Sequence, residues 1–170
     1  LRAVRRELMS DVPLGVFTSG GLDSSLLVAA TAKRIPGGRI HTYAVRFTEP
    51  GYDESAYAEA VTHDIATMHH VVTADDESLG RALEVVSSTL AEPLGDPAVL
   101  PTWLLAESAR EHLKVILSGE GADELFGGYP TYLGHKYANR WQLVPRPLRS
   151  LVGWAADRWP SSSGKMTLEY

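Results

Sequence analysis

The sequence predicts an α/β fold in which a parallel sheet is flanked by helices. Short β-branched and aromatic runs at 14–18, 41–47, 69–73 and 114–118 alternate with longer stretches of helical apolar spacing. That alternation implies βαβ crossovers and hence parallel strands. The two most unusual stretches, "SGGLDSS" and "SGEGADELFGGY", follow the first and last of these runs. Open parallel sheets gather ligands at the carboxyl ends of their strands, and both stretches fall there.

The elements follow in order. "LRAVRRELMSDV" reads as a helix, and "LGVFT" (Leu14 to Thr18) as a strand ended by Gly20 and Gly21. "LDSSLLVAATAKR" then puts Leu22, Leu26, Ala29 and Ala30 on one helical face until "IPGG" breaks it. "HTYAVRF" (His41 to Phe47) is a second strand, stopped by Pro50 and Gly51. In "YDESAYAEAVTHDI", Asp53 serves as N-cap and Tyr57, Val61 and Ile65 lie one turn apart. "HHVVT" (His69 to Thr73) is the third strand, after which Asp75 and Asp76 cap a helix carrying Leu79, Leu83, Val86 and Leu90. "EPLGDPAVLP" is a loop, and Pro101 suits the first turn of a helix reaching about Leu113. "KVILS" (Lys114 to Ser118) is nearly all apolar, as in a strand covered on both faces. Beyond Tyr129 the pattern turns helical, with Leu148, Leu151, Val152, Ala155 and Trp159 on one face.

Composition narrows the function classes. A chain of 170 residues can bury roughly 70% of its unfolded surface. Apolar content of 44% and charged content of 22% are ordinary for a globular protein. The formal net charge is −5 with no basic block longer than a dipeptide, which argues against a nucleic-acid surface. No apolar run approaches the ~20 residues of a membrane span. The absence of cysteine removes disulfides, thiolate metal sites and a cysteine nucleophile, and is compatible with a cytoplasmic location. The chain opens inside a helix without a Met and closes on "SSSGKMTLEY", so it is expected to be a piece of something longer.

Two loops carry the chemistry. In "SGGLDSS", Gly20 and Gly21 allow close backbone approach, and the following helix start offers unpaired N–H groups to an anion. Ser19, Ser24 and Ser25 add hydroxyls. Asp23 would repel a phosphate unless a divalent cation lay between them, and Mg²⁺ favours carboxylate and phosphate oxygens together. The loop lacks the lysine of the common GxxxxGK[ST] phosphate loop. The structural alternative is a Gly-Gly turn with a Ser/Asp cap. "SGEGADELFGGY" (Ser118 to Tyr129) holds Glu120, Asp123 and Glu124 among four glycines. A helix starting near Gly121 places Glu120 at its mouth and the other two acids in its first turn, a mildly favourable position. The six histidines (His41, His63, His69, His70, His112 and His135) show no ligand spacing and read as strand and surface residues. Trp103, Trp141, Trp154 and Trp159 read as packing residues.

"SGGLDSS" resembles the pyrophosphate loop of the adenylating PP-loop ATPases, which include GMP synthetase and NAD synthetase. With "LSGEGADELFGGY", and with "MSDVPLGV" and "YAVRF", the chain is similar to the synthetase domain of glutamine-hydrolysing asparagine synthetases over about Leu1 to Tyr137. The resemblance implies the adenine nucleotide alpha hydrolase-like fold with a helical C-terminal part. It also implies one synthetase domain over 1–170, incomplete at both ends and without the N-terminal glutaminase domain of the family. The implied reaction is adenylation of the aspartate side chain by ATP with release of pyrophosphate, then attack by ammonia derived from glutamine to give asparagine and AMP. By the same resemblance, Ser19, Gly20, Gly21, Asp23, Ser24 and Ser25 hold the pyrophosphate and its Mg²⁺. Phe17 and Val45 hold adenosine through backbone atoms, and Ser118 and Gly119 also contact the nucleotide. Glu120 is the essential acid, with Asp123 in its pocket. Asp96, in "EPLGDP", is a second metal candidate, with a turn Asp before Pro97 as its other reading. Related readings are a β-lactam synthetase, a peptide macrolactam cyclase or a non-catalytic nucleotide-binding domain. The implied partners are aspartate, ammonia and a glutaminase domain, and a homodimer is compatible. No membrane or nucleic-acid partner is implied. Two departures stand out. The chain has no nucleophilic cysteine, and it ends before the family's adenylation lysine, so this piece alone is expected to turn over poorly.

Overall fold

The computed structural model describes residues 2–35, 40–49, 51–92, 94–129 and 131–158. It divides into two units, Leu1–Gly119 and Glu120–Tyr170. In the first, the order is α1 (Arg2–Glu7), β1 (Leu14–Phe17), α2 (Leu22–Ala32), β2 (His41–Phe47), α3 (Ser55–Ile65), β3 (Met68–Ala74), α4 (Asp76–Thr89), α5 (Val99–Ala109) and β4 (Val115–Leu117). The second unit holds α6 (Ala122–Phe126), α7 (Thr131–Gln142) and α8 (Arg146–Arg158).

The four strands form one sheet in the order β3-β2-β1-β4, and every pairing is parallel. The expected α/β class and parallel sheet therefore hold. The order reverses at β1, which makes its carboxyl end the switch point where an open α/β sheet leaves a crevice. Phe17 pairs with Tyr43 of β2, and Val16 with Leu117 of β4.

Helices cover both faces. On one, Val16 and Ile40 pack with Val28 and Leu27 of α2 and Ile65 of α3. On the other, Tyr43 meets Ala109 of α5 and Leu113, while Ala74 meets Ala82 of α4 and Leu104 of α5. The period-2 alternation of β2 decides this sorting. Tyr43, Val45 and Phe47 point toward α4 and α5, and Arg46 points toward α3. α4 starts in a capping box: the Asp75 carboxylate accepts the Ser78 N–H at 2.8 Å, and the Asp75 N–H donates to the Ser78 hydroxyl at 3.0 Å. α3 ends on Ala66 in the left-handed region, with φ 57°.

Several packing faces differ from the sequence expectation. Leu22 and Leu26 are exposed; Ala30 of the expected face is buried, together with Val28 and Thr31. This helix is apolar on nearly every side, so spacing alone cannot choose its inner face. In α3, Tyr57 is exposed while the small residues Ala58 and Thr62 are buried. Leu83 and Leu90 of the α4 stripe are also exposed, whereas Val86 is buried and Leu79 packs on the core as expected, joined by Ala82. β4 is half-buried rather than covered on both faces, because it lies at the sheet edge among the described residues. Trp103 packs on the Ala74 cluster as expected. Trp141, Trp154, Leu148, Leu151 and Val152 are exposed instead, each in the second unit. Trp159 and the "SSSG" tail lie outside the described residues.

Candidate functional site

The loop between β1 and α2 is built largely from hydrogen bonds within itself. Thr18, buried, continues β1 by one bond, its N–H donating to the Tyr43 carbonyl of β2 at 2.9 Å. Its hydroxyl accepts the Gly20 N–H at 3.3 Å. The Ser19 N–H donates to the Ser24 hydroxyl at 3.2 Å, and that hydroxyl donates to the Gly21 carbonyl at 3.2 Å. The Ser19 hydroxyl accepts the Gly21 N–H at 3.3 Å. The two serine hydroxyls lie 3.3 Å apart. The serines thus hold the loop in shape before any ligand arrives.

Glycine is required at position 20. Its φ is +81°, and a Cβ there would lie 2.4 Å from the Ala58 nitrogen and 2.5 Å from the Tyr57 carbonyl carbon. The loop therefore rests backbone to backbone on the first turn of α3. Gly21, in extended geometry, gives α2 no side-chain cap. The first-turn N–H groups of Leu22, Asp23 and Ser24 are left without a side-chain acceptor, and an anion suits such a terminus. Asp23 is exposed in that turn. The Ser25 hydroxyl is buried with no partner.

Gly119, just past β4, closes on the same turn. A Cβ there would stand 3.4 Å from the Ser24 nitrogen and 3.6 Å from the Asp23 carbonyl carbon. The structure thus brings Ser19, Gly20, Gly21, Asp23, Ser24 and Gly119 together at the switch point, with Ser118 beside Gly119 in the chain. Phe17 ends β1 and Val45 lies within β2 near its carboxyl end, with side chains packed among the core clusters. β2 continues past the end of β1, so Val45 has no β1 partner and keeps backbone on that edge. Uncapped N–H groups, an orphaned hydroxyl and a glycine-lined approach suit the phosphates of a nucleotide.

Asp96 lies elsewhere. Its carboxylate accepts the Ala98 N–H at 2.9 Å, the turn arrangement anticipated as its other reading. It lines a largely apolar cleft of about 620 Å³ with Leu83, Val86, Leu90 and Leu100, and no residue of the β1–α2 loop lines that cleft. Among the described residues there is no group of three or more His, Cys, Asp or Glu arranged to hold a metal ion. A Mg²⁺ shared between one carboxylate and phosphate oxygens needs no such group.

In the second unit, α6 runs between Gly121 (φ 86°) and Gly127 (φ 72°), both left-handed. The N–H groups of Gly127 and Gly128 donate to the Asp123 carbonyl at 2.9 and 3.0 Å. A Cβ on Gly128 would fall 2.0 Å from Oδ1 of Asp123, so this glycine makes room for that carboxylate. Glu120 precedes the helix and is exposed. Glu124 accepts the Tyr129 hydroxyl at 2.7 Å. This bond holds the Glu124 carboxyl below its usual range and pushes the Tyr129 phenol up to about 12.

Sequence reasoning missed one cluster. His41 Nδ1 and His70 Nε2 are 3.0 Å apart, and His112 lies with ring centroids 5.9 and 5.7 Å from theirs. His70 also stacks on Tyr43 at 4.6 Å. The register that places Tyr43 opposite His70 creates this group, and linear spacing carries no trace of it.

The profile of the family described as asparagine synthase matches residues 1–168. The chain is 33% identical over 168 residues to asparagine synthetase [glutamine-hydrolyzing] 1 of Bacillus subtilis, covering 98% of this chain and 26% of that protein. It is 33% identical over 165 residues to asparagine synthetase B [glutamine-hydrolyzing] of Escherichia coli, covering 88% of this chain and 29% of that protein. The chain thus spans little more than a quarter of the length of these curated relatives. Among solved structures it is similar to the NH3-dependent NAD synthetase from Campylobacter jejuni, with 15% identity and a TM-score of 0.49, over 75% of this chain and 56% of that one.

Proposed function

Because the chain belongs to the asparagine synthase family, we propose that it is the ATP-binding part of an enzyme that makes asparagine from aspartate. The reaction is ATP-dependent amide formation. The side-chain carboxylate of aspartate attacks the α-phosphorus of ATP, and pyrophosphate leaves. Ammonia then adds to the acyl carbon and AMP departs. A carboxylate oxygen is a poor leaving group, so conversion to an acyl-adenylate, a mixed carboxylic–phosphoric anhydride, must precede amide formation.

The observation that supports this reading is the serine-bonded loop at the switch point, with Gly119 against Ser24. Its uncapped N–H groups would receive the charge that builds on departing pyrophosphate, as preorganised donors do at developing anions. The α2 dipole adds about 0.3–1 kcal/mol in an exposed setting. Ser19 and Ser24 fix the loop, and Ser25 offers its hydroxyl. Asp23 would hold Mg²⁺, which when bound neutralises phosphate charge and takes the place of the missing lysine. Phe17 at the end of β1 and Val45 of β2 would take adenosine by backbone atoms, with Ser118 and Gly119 beside it. Glu120 would orient the acceptor and handle its proton, with Asp123 nearby in sequence. Ammonia would come from glutamine hydrolysed by a separate glutaminase domain, since this chain has no cysteine nucleophile.

The test supplies ATP, Mg²⁺, aspartate and ammonia to the full-length protein and identifies the products. AMP with pyrophosphate is the expected pair, and ADP with phosphate would overturn the adenylation step. Asp23→Ala should cut pyrophosphate release by about 10²-fold or more. Release at the wild-type rate would mean that the metal is held elsewhere.

A further inference from the structure

We infer that Arg46 is a positioning residue for the nucleotide loop, acting through the first turn of α3. The inference rests on the reading of that loop as the pyrophosphate site. Arg46 never meets the loop in the contacts described. Its Nε donates to the Ser55 hydroxyl at 3.1 Å, and its Nη2 pairs with the Glu59 carboxylate. Ser55 is buried and opens α3, and its N–H is taken by the Asp53 carboxylate at 3.0 Å. Glu59 sits one turn further along.

Between those two contacts lies the backbone of Tyr57 and Ala58, the wall on which Gly20 rests. The connections close into a ring. β1 leads into Gly20, which leans on α3. Arg46 ties α3 to β2, and β2 pairs with β1. Gly20 has no side chain to take up slack, so movement of that turn passes directly to the loop.

The magnitudes separate position from stability. The Arg46–Glu59 pair is about half-exposed, at 44% and 48%. An ion pair in such a setting contributes little to folding. The guanidinium fork is what reaches two acceptors on one helix turn, and a lysine would satisfy only one at a time. Loss of Arg46 therefore frees the wall while leaving the fold intact.

The experiment uses the full-length protein and three variants: Arg46→Ala, Arg46→Lys and, as a control, Arg81→Ala. The control breaks a comparable exposed pair, Arg81 with Glu107 at 3.5 Å. Amide hydrogen exchange is followed in a peptide covering 16–26, alongside the KM for ATP and the thermal midpoint. For Arg46→Ala the expected result is about tenfold faster loop exchange and a tenfold higher KM for ATP, about 1.4 kcal/mol, with the midpoint close to wild type. Arg46→Lys should fall between wild type and Arg46→Ala, and Arg81→Ala should leave exchange and KM unchanged. Unchanged exchange in Arg46→Ala overturns the inference, as does faster exchange with an unchanged KM or an equal effect of Arg81→Ala. A wild-type protein that releases no pyrophosphate would sink the nucleotide reading instead, and loop exchange would still decide whether Arg46 braces the loop.

Discussion

Gly20 is where the site has least tolerance. A side chain there meets both the left-handed backbone, at about 1–2 kcal/mol, and the nitrogen of Ala58 at 2.4 Å. Backbone cannot step aside as a flexible side chain can. Gly20→Ala is expected to lower stability by about 1–3 kcal/mol and to weaken ATP binding at least tenfold. Urea denaturation and titration with ATP measure the two effects. Retained affinity would show that the loop does not need its rest on α3. Gly119, whose added Cβ would stand at ordinary contact distance, lacks this sensitivity. Two glycines that look equivalent in the sequence therefore carry different constraints.

Among the elements, α4 owes its start to a local device. Asp75 and Ser78 satisfy each other's backbone groups, and the Ser78 N–H holds the Asp75 carboxyl below its ordinary value. Asp75→Ala should lower the thermal midpoint by about 2–4 °C and leave catalytic constants unchanged. This cap was legible as an Asp-Asp pair before a strong apolar period, because capping acts within a few residues. The strands were legible for the same reason: β2 matches its expected bounds, and the other three differ by one residue at some ends. Helix faces were not. α2 carries leucine and alanine on several sides, and α3 turns Ala58 inward and Tyr57 outward. Arg46 was unreadable too, since its role depends on where β2 points its side chains. The loop around Ser19 was legible because its serines bond within six residues.

At the scale of the whole molecule, the histidines give stability a pH dependence. Burial holds His41, His69 and His70 below the ordinary 6.5, and the neighbouring His112 adds to the effect at His41 and His70. The unfolded chain then binds more protons than the folded one as pH drops through 6.5. Stability is fully present above that value and declines toward the lower folded values. The urea midpoint should be lower at pH 5.5 than at pH 7.5, and His70→Gln should flatten the difference. A midpoint that rises on acidification would contradict the lowered values at His41, His69 and His70. The order β3-β2-β1-β4 has a further consequence during synthesis. β1 pairs with β4 across about a hundred residues of chain, a closure that costs on the order of 4 kcal/mol in entropy. At about 5–20 residues per second, a ribosome needs roughly 5–20 seconds to deliver the last strand after the first. Throughout that interval the β4 side of β1 lacks its partner, and an unpaired strand edge is a template on which other chains can pair.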